Sequence, residues 1–299
     1  ALSDKLKKLS AVLLLPILFS SSTFAEDSFN QNHIAKFDAL VVQDNGGRLK
    51  PVHTLTSEYL RKIYGKNYFK DKSGTEVLLS MMYNPLDWGK KPIIKVSHSK
   101  LRNLVGSTDM NSKYIRVSFN DFFDENGHYL LAKDVEIAYE KLQKDRNLFD
   151  KDIIKVDERV NICFAIFGSG IFRLFPLPKD SNNIWLTYTQ STEFSGNDSL
   201  FVANIMPMYF KAVEEGITTN NWITADTIVG YIQRFQRKYG VEILPEKNKI
   251  NLEISYNKMS IFSSLFMYYF IVSFLLLVVV IISLFNNKKL IISLIKLLK

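Results

Sequence analysis

The chain has 299 residues, 47% hydrophobic and 23% charged, with 22 Phe, 14 Tyr and 3 Trp, a composition that excludes an intrinsically disordered chain. Its single cysteine, Cys163, excludes a disulfide scaffold and a covalent C-x-x-C-H haem attachment site. The net charge of +8 lies mostly in the two end segments and leaves 31 basic against 29 acidic residues over 26–287, so no nucleic-acid partner is expected.

Residues 1–25 read as a signal peptide or N-terminal membrane anchor. Lys5, Lys7 and Lys8 precede a nine-residue apolar run ending at Phe19, and small residues lead to a cleavage point after Ala25. Next, 37–43 is a short apolar run stopped by the turn Asp44-Asn45-Gly46-Gly47. Thr54 is placed to cap a helix that ends at Gly65. Ser73 and Glu76 form a capping box for a helix closed by Pro85. Short strands are predicted at 92–96 and 114–117, and an amphipathic helix at 133–148 with Val135, Ala138 and Leu142 inward. Residues 160–167 form a buried run, and 179–199 a polar linker. Helical spacing returns at Val202, Ile205, Tyr209 and Val213, and again over 222–239.

Residues 261–285 carry no charge and are long enough, as a helix of about 38 Å, to cross a hydrocarbon core of roughly 30 Å. Tyr268 and Tyr269 sit toward one end, as interfacial aromatics do. The expected fold class is therefore α+β, mainly α-helical with short strands, followed by a transmembrane helix. The expected division is 26–178 and 200–258 as two parts of an extracytoplasmic domain, the linker between them, the span at 261–285, and 286–299 as a basic cytoplasmic tail or the start of a further span. The signal-like start favours export of 26–258 from the cytoplasm, with the chain in the inner (cytoplasmic) membrane.

The catalytic signatures G-x-S-x-G and H-E-x-x-H are both missing. His33, His53, His98 and His128 have no metal-ligand spacing, so no metal site is expected. Cys163, in an apolar run, reads as a packed small hydrophobe whose thiol burial makes inert. Glu58, Glu76, Asp157 and Glu158 read as helix-surface charges. Arg48 and Lys50, a pair of cations at a glycine turn ahead of a helix start, could hold a carboxylate or phosphate, although on spacing alone a turn solvated by Arg and Lys is the simpler reading.

The ordered series Gln43-Asp-x-x-Gly-Arg-x-Lys-Pro-x-x-Thr-Leu55, Met81-Met-x-Asn-Pro85 with Trp88, Asp157-Glu-Arg-Val-Asn161, Gln236-x-Lys-Tyr-Gly240 and Glu253-x-x-Tyr-Asn-Lys258 resembles the System II cytochrome c biogenesis proteins. These are the CcsA/CcsB (ResC/ResB-like) membrane proteins in their fused form, and the similarity covers most of 33–285. The tryptophan-rich WWD haem-handling segment of that family is absent, since Trp88, Trp185 and Trp222 stand apart. The resemblance implies a membrane-anchored component of cytochrome c maturation, with haem as cofactor and with apocytochrome c, other System II assembly subunits or segments and the lipid bilayer as partners. It also implies a non-catalytic part of a haem-attaching synthetase complex. Within the resembling segment His33 and His53 are the haem-ligand candidates, and Arg48 and Lys50 the candidate contacts to a propionate or a partner. The alternative is a membrane-tethered extracytoplasmic sensor or ligand-binding module.

Overall fold

A computed structural model describes residues 29–107, 109, 111–259 and 261–286; the expected signal segment at 1–25 and all but Asn286 of the expected tail at 286–299 lie outside the described residues. The chain divides between Glu246 and Lys247 into two compact units. The first is mainly helical, with four two-stranded antiparallel pairs among the described residues, so the α+β class is what the molecule has.

Helix α1 (Gln31–Asp38) starts at Asn30, whose side chain accepts the backbone N–H groups of Asn32 (2.9 Å) and His33 (3.2 Å) and so satisfies donors that a helix start leaves open. It buries His33, Ile34, Phe37 and Asp38. The apolar run at 37–43 is therefore divided: Phe37 and Asp38 are helical, and β1 is Val41–Gln43. It pairs with β2 (Leu49–Pro51) in the register Val42↔Lys50. Gly47 takes φ +84° in the connecting turn, a conformation open to glycine at little cost.

Helix α2 (Val52–Tyr64) begins two residues before the expected cap. Pro51 precedes it with no side-chain cap, Thr54 is buried inside it, and Gly65 ends it at φ +91°. A small pair, β3 (Tyr68–Phe69) and β4 (Lys72–Ser73), leads to α3 (Gly74–Tyr83). Its capping box is made as expected: Ser73 Oγ accepts the Glu76 N–H, and Glu76 Oε2 accepts the Ser73 N–H at 2.8 Å. Glu76 is nonetheless buried rather than a surface charge, and Gln31 Nε2 donates to its other oxygen at 2.8 Å. After the single turn α4 (Pro85–Trp88) come β5 (Ile94–Val96), α5 (Ser99–Leu104) and β6 (Ile115–Val117), with Lys95 opposite Arg116.

The helix expected over 133–148 is two helices. Helix α6 (Ala132–Glu140) stops at Lys141, a 3₁₀ turn follows at Gln143–Asp145, and α7 (Leu148–Phe167) restarts from a capping box of Asn147 with Asp150. Leu142, expected inward, lies in the break and is exposed. Asp157, expected on the surface, is buried on α7. Burial raises its carboxyl pKa, against the lowering effect of bonds from Tyr129 (3.1 Å) and Asn161 (3.0 Å). The pair β7 (Phe175–Pro176) and β8 (Trp185–Leu186) precedes α8 (Gly196–Thr219) and α9 (Ile223–Tyr239). One apolar cluster runs from Phe29 through most of these elements to Phe235. Cys163 is fully buried in it, and burial pushes its thiol pKa up.

The second unit comprises α10 (Lys247–Met259) and α11 (Ile261–Asn286). Within α11, Leu265–Ser283 is 19 residues long and apolar enough to cross a membrane, about 28 Å of helix. None of this stretch is buried within the protein. A charge-free helix that no described residue covers is what a lipid-anchored chain needs.

Candidate functional site

Many of the polar groups of the first unit that are taken out of water gather around α1 and the hairpin after it. Three elements converge on His33, which is fully buried. Its Nδ1 lies 2.8 Å from Asp226 Oδ1 on α9, and its Nε2 lies 2.9 Å from the Tyr209 hydroxyl on α8. A carboxylate only accepts, so the network assigns the proton to Nδ1, and Nε2 accepts the Tyr209 O–H. Lys36, one turn on from His33, holds the other oxygen of Asp226.

Local structure explains this convergence. Asn220 turns the chain at φ 56° between α8 and α9, and Trp222 folds back against Gly216, where an added Cβ would sit 2.8 Å from the indole. The same indole stacks on His33 at 4.8 Å, and Tyr209 stacks at 5.7 Å. Burial lowers the His33 pKa, outweighing the raising effect of Asp226. Burial would raise the Asp226 carboxyl, but the bonds from Lys36 and His33 hold it below the ordinary range. Tyr209 is pushed well above the ordinary phenol value, first by burial and then by Asp226 and Asp38. The result is a neutral imidazole with both nitrogens engaged, which clamps α1 to α8 and α9.

His53 sits at the start of α2, 6% exposed, with Nδ1 3.2 Å from Asp38 Oδ2. That separation is close enough for an ion pair, but the angle is off the hydrogen-bonding line, and Nδ1 is left without a hydrogen-bond partner among the described residues. Asp38, equally buried, accepts the Thr75 hydroxyl from α3, and Thr75 Oγ1 lies 2.8 Å from Thr56 Oγ1 on α2. This second node ties α1, α2 and α3 together.

The hairpin turn is organised by Asp44, whose Oδ1 accepts the N–H groups of Gly46 (2.9 Å) and Arg48 (3.0 Å). Lys50 turns inward to 5% exposure and meets Asp44 at 2.8 Å and Glu58 at 2.9 Å. Burial would lower the Lys50 pKa, but its two carboxylate partners raise it overall. Arg48 stands exposed on the turn. The two cations expected to act as a pair thus occupy different environments.

Sequence reasoning named neither glutamine of this region as a site residue, although both lie in the motifs that carried the resemblance. Gln43 Oε1 accepts the Trp185 N–H at 2.8 Å, and its amide donates to Asn183 O (3.0 Å) and Gly47 O (3.3 Å). Gln236 Nε2 donates to Val41 O (2.7 Å) and Leu174 O (3.0 Å), and Oε1 accepts the Val41 N–H (3.3 Å). Tyr209, Trp222 and Asp226 were missed as well. The other histidines are local: His98 Nδ1 accepts the Lys100 N–H at 3.2 Å, and His128 pairs with Asp124 at 3.0 Å on the surface. Among the described residues no group of three His, Cys, Asp or Glu is arranged to hold a metal ion.

A haem iron needs a histidine nitrogen with a free lone pair and an open face beside it. His33 has both nitrogens engaged and both neighbouring aromatic rings stacked on it, and His53 is packed over Asp38. These residues do not fit a haem-ligating pair.

No family model matches the chain. Over 289 residues it is 33% identical to Protein NrfI of Wolinella succinogenes, a stretch that covers 88% of this chain and 30% of that protein. The chain therefore spans under a third of the relative's length. The match also corrects the membership in the CcsA/CcsB family expected from the ordered motifs, for what the chain resembles is NrfI. There is a physical reason for those motifs to mislead. The Asp44 turn, the Asn84-Pro85 helix start and the Gln236 brace are devices of local folding and packing, which carry less information about family than a catalytic set does.

Proposed function

We propose that the chain is a membrane-anchored component of cytochrome c maturation, and that its first unit is an extracytoplasmic scaffold for attaching haem to a c-type cytochrome. The observation that carries the reading is the likeness to NrfI along 88% of the chain, which points to cytochrome c maturation. The apolar helix α11 and the compact unit preceding it supply the anchor and the scaffold. The body faces the periplasm and the span lies in the inner membrane, consistent with the signal-like start. Its partners are the apocytochrome and the other maturation subunits, and Arg48 on the exposed hairpin turn is a contact offered to them. Haem enters this reading as the group being attached, with no ligation by His33 or His53. The buried nodes at these histidines keep the scaffold rigid.

Gene deletion tests the reading. Membranes of the deletion strain lose the haem-staining bands of one or more c-type cytochromes, and the gene restores them in trans. Full maturation of every c-type cytochrome in the deletion strain would overturn it.

A further inference from the structure

The near-balance of charge over 26–287 conceals a strong segregation. Residues 61–116 hold twelve Lys and Arg against four Asp and Glu, a net +8, and the rest of 26–287 is net −6. One of those four acids, Glu76, is buried in its capping box. Side-chain contacts join the cationic stretch into one strip. Lys91 lies over the Trp88 ring at 4.2 Å, and Trp88 meets Phe69 at 5.5 Å, which meets Tyr64 at 5.1 Å. Arg116 then lies over Tyr64 at 3.9 Å and Tyr114 at 5.1 Å, and Lys95 over Tyr114 at 4.5 Å. Among the described residues no carboxylate lies within ion-pair distance of Lys66, Lys90, Lys95 or Arg116. The rings beneath Lys66, Lys95 and Arg116 hold these cations in place without neutralising them, whereas Lys91 pairs with Asp87. Beside them Leu86 is 70% exposed and Tyr68 51% exposed, with Lys66 over the Tyr68 ring.

We infer that this strip is a docking surface for an anionic lipid headgroup layer. Two observations favour lipid over an acidic protein. The chain carries its own span, so a bilayer is always within reach of the body. The strip also mixes an exposed leucine and tyrosine with unpaired cations, the composition of a contact that seats apolar groups among headgroups while cations meet phosphate. An acidic polypeptide would call on the cations alone. The inference stands on α11 and does not depend on the cytochrome reading.

The test uses the full chain in lipid nanodiscs. Cys163 is the single cysteine and is fully buried, so an environment-sensitive thiol probe on Leu86→Cys reports that position alone. In discs containing phosphatidylglycerol the probe emission shifts to the blue, and in phosphatidylcholine discs it does not. High salt reverses the shift, because exposed charges are screened beyond about 10 Å at 0.1 M. Changing Lys66, Lys90, Lys91 and Lys95 to Gln weakens docking by about fivefold for each cation removed, from the ~1 kcal/mol per basic residue at an anionic surface. Circular dichroism of that variant stays unchanged, since none of the four side chains is part of the core. Equal emission in both kinds of disc would overturn the proposal, as would a shift that survives the four substitutions. A probe that responds to added polyglutamate but to neither lipid would assign the strip to an acidic polypeptide and also overturn it.

Discussion

His33 shows how one side chain can set the conditions under which this body stays folded. Its ring fills the space between Tyr209 and Trp222 and uses both nitrogens. His33→Ala leaves the Tyr209 hydroxyl buried without its acceptor, removes one of the two donors to Asp226 and opens a cavity under the indole. Loss of about 2–4 kcal/mol is expected, from an unsatisfied polar group plus incomplete collapse, read by denaturant unfolding with tryptophan fluorescence as the signal. Burial lowers the folded-state pKa of His33 below the unfolded value of about 6.5. The neutral ring is therefore favoured in the fold, and its contribution is complete above about pH 6.5. It is lost as the pH falls through that value toward the lowered folded one. Wild-type stability thus declines from about pH 6.5 downward, and His33→Ala removes that part of the slope. An unchanged slope in the variant would assign the acid sensitivity to other groups. From the sequence His33 looked like a scattered histidine, because Tyr209 and Asp226 lie 176 and 193 residues away and no local pattern links them.

Helices were legible wherever a side chain marks their ends or their period. Ser73 and Glu76 announced α3, Gly65 announced the end of α2, and the run over 222–239 announced α9. Where the signal failed, the chemistry of the ends differs. Helix α2 starts at Pro51 with no side-chain cap, so the nearest threonine drew the boundary inward. The break between α6 and α7 is held by Arg146, which donates to Ala138 O and Lys141 O at 3.1 and 3.2 Å, a tertiary arrangement invisible to a periodicity count. Packing between helices was equally hidden, and two glycines test it with opposite signs. A Cβ on Gly74 would meet the Thr56 carbonyl carbon and oxygen at 2.8 Å, backbone atoms of α2 that cannot step aside. Gly74→Ala therefore destabilises by about 1–3 kcal/mol in spite of alanine's better helix propensity. Gly230, inside α9, has nothing within 4 Å of an added Cβ, so Gly230→Ala stabilises by roughly 0.5–1 kcal/mol. Thermal unfolding of the two variants side by side checks the prediction, and a stable Gly74→Ala protein would show that α2 and α3 are not in close backbone contact.

At the scale of the whole molecule, the body and α11 divide the work: the body folds around its own core, and among the described residues nothing buries the apolar stretch of α11. An apolar stretch that no described residue buries draws its stability from lipid, which makes it intolerant of charge at mid-height. Each arginine at the centre of such a helix adds about 2.5–3.5 kcal/mol to insertion, so Leu275→Arg with Val279→Arg together raise it by roughly 6 kcal/mol. Two topology reporters read the outcome, one inserted in the exposed turn at Asn45 and one joined after Lys299. In the parent chain α11 separates them, and they report opposite sides of the membrane. In the double variant α11 no longer crosses, and both report the same side, whatever the first 28 residues do. Leu252→Arg on α10 is the matched control, outside the span and already 69% exposed, and it leaves the reporters on opposite sides. If the double variant kept them apart, α11 would be stabilised by protein contacts instead of lipid, and the anchor would have to be sought elsewhere in the chain.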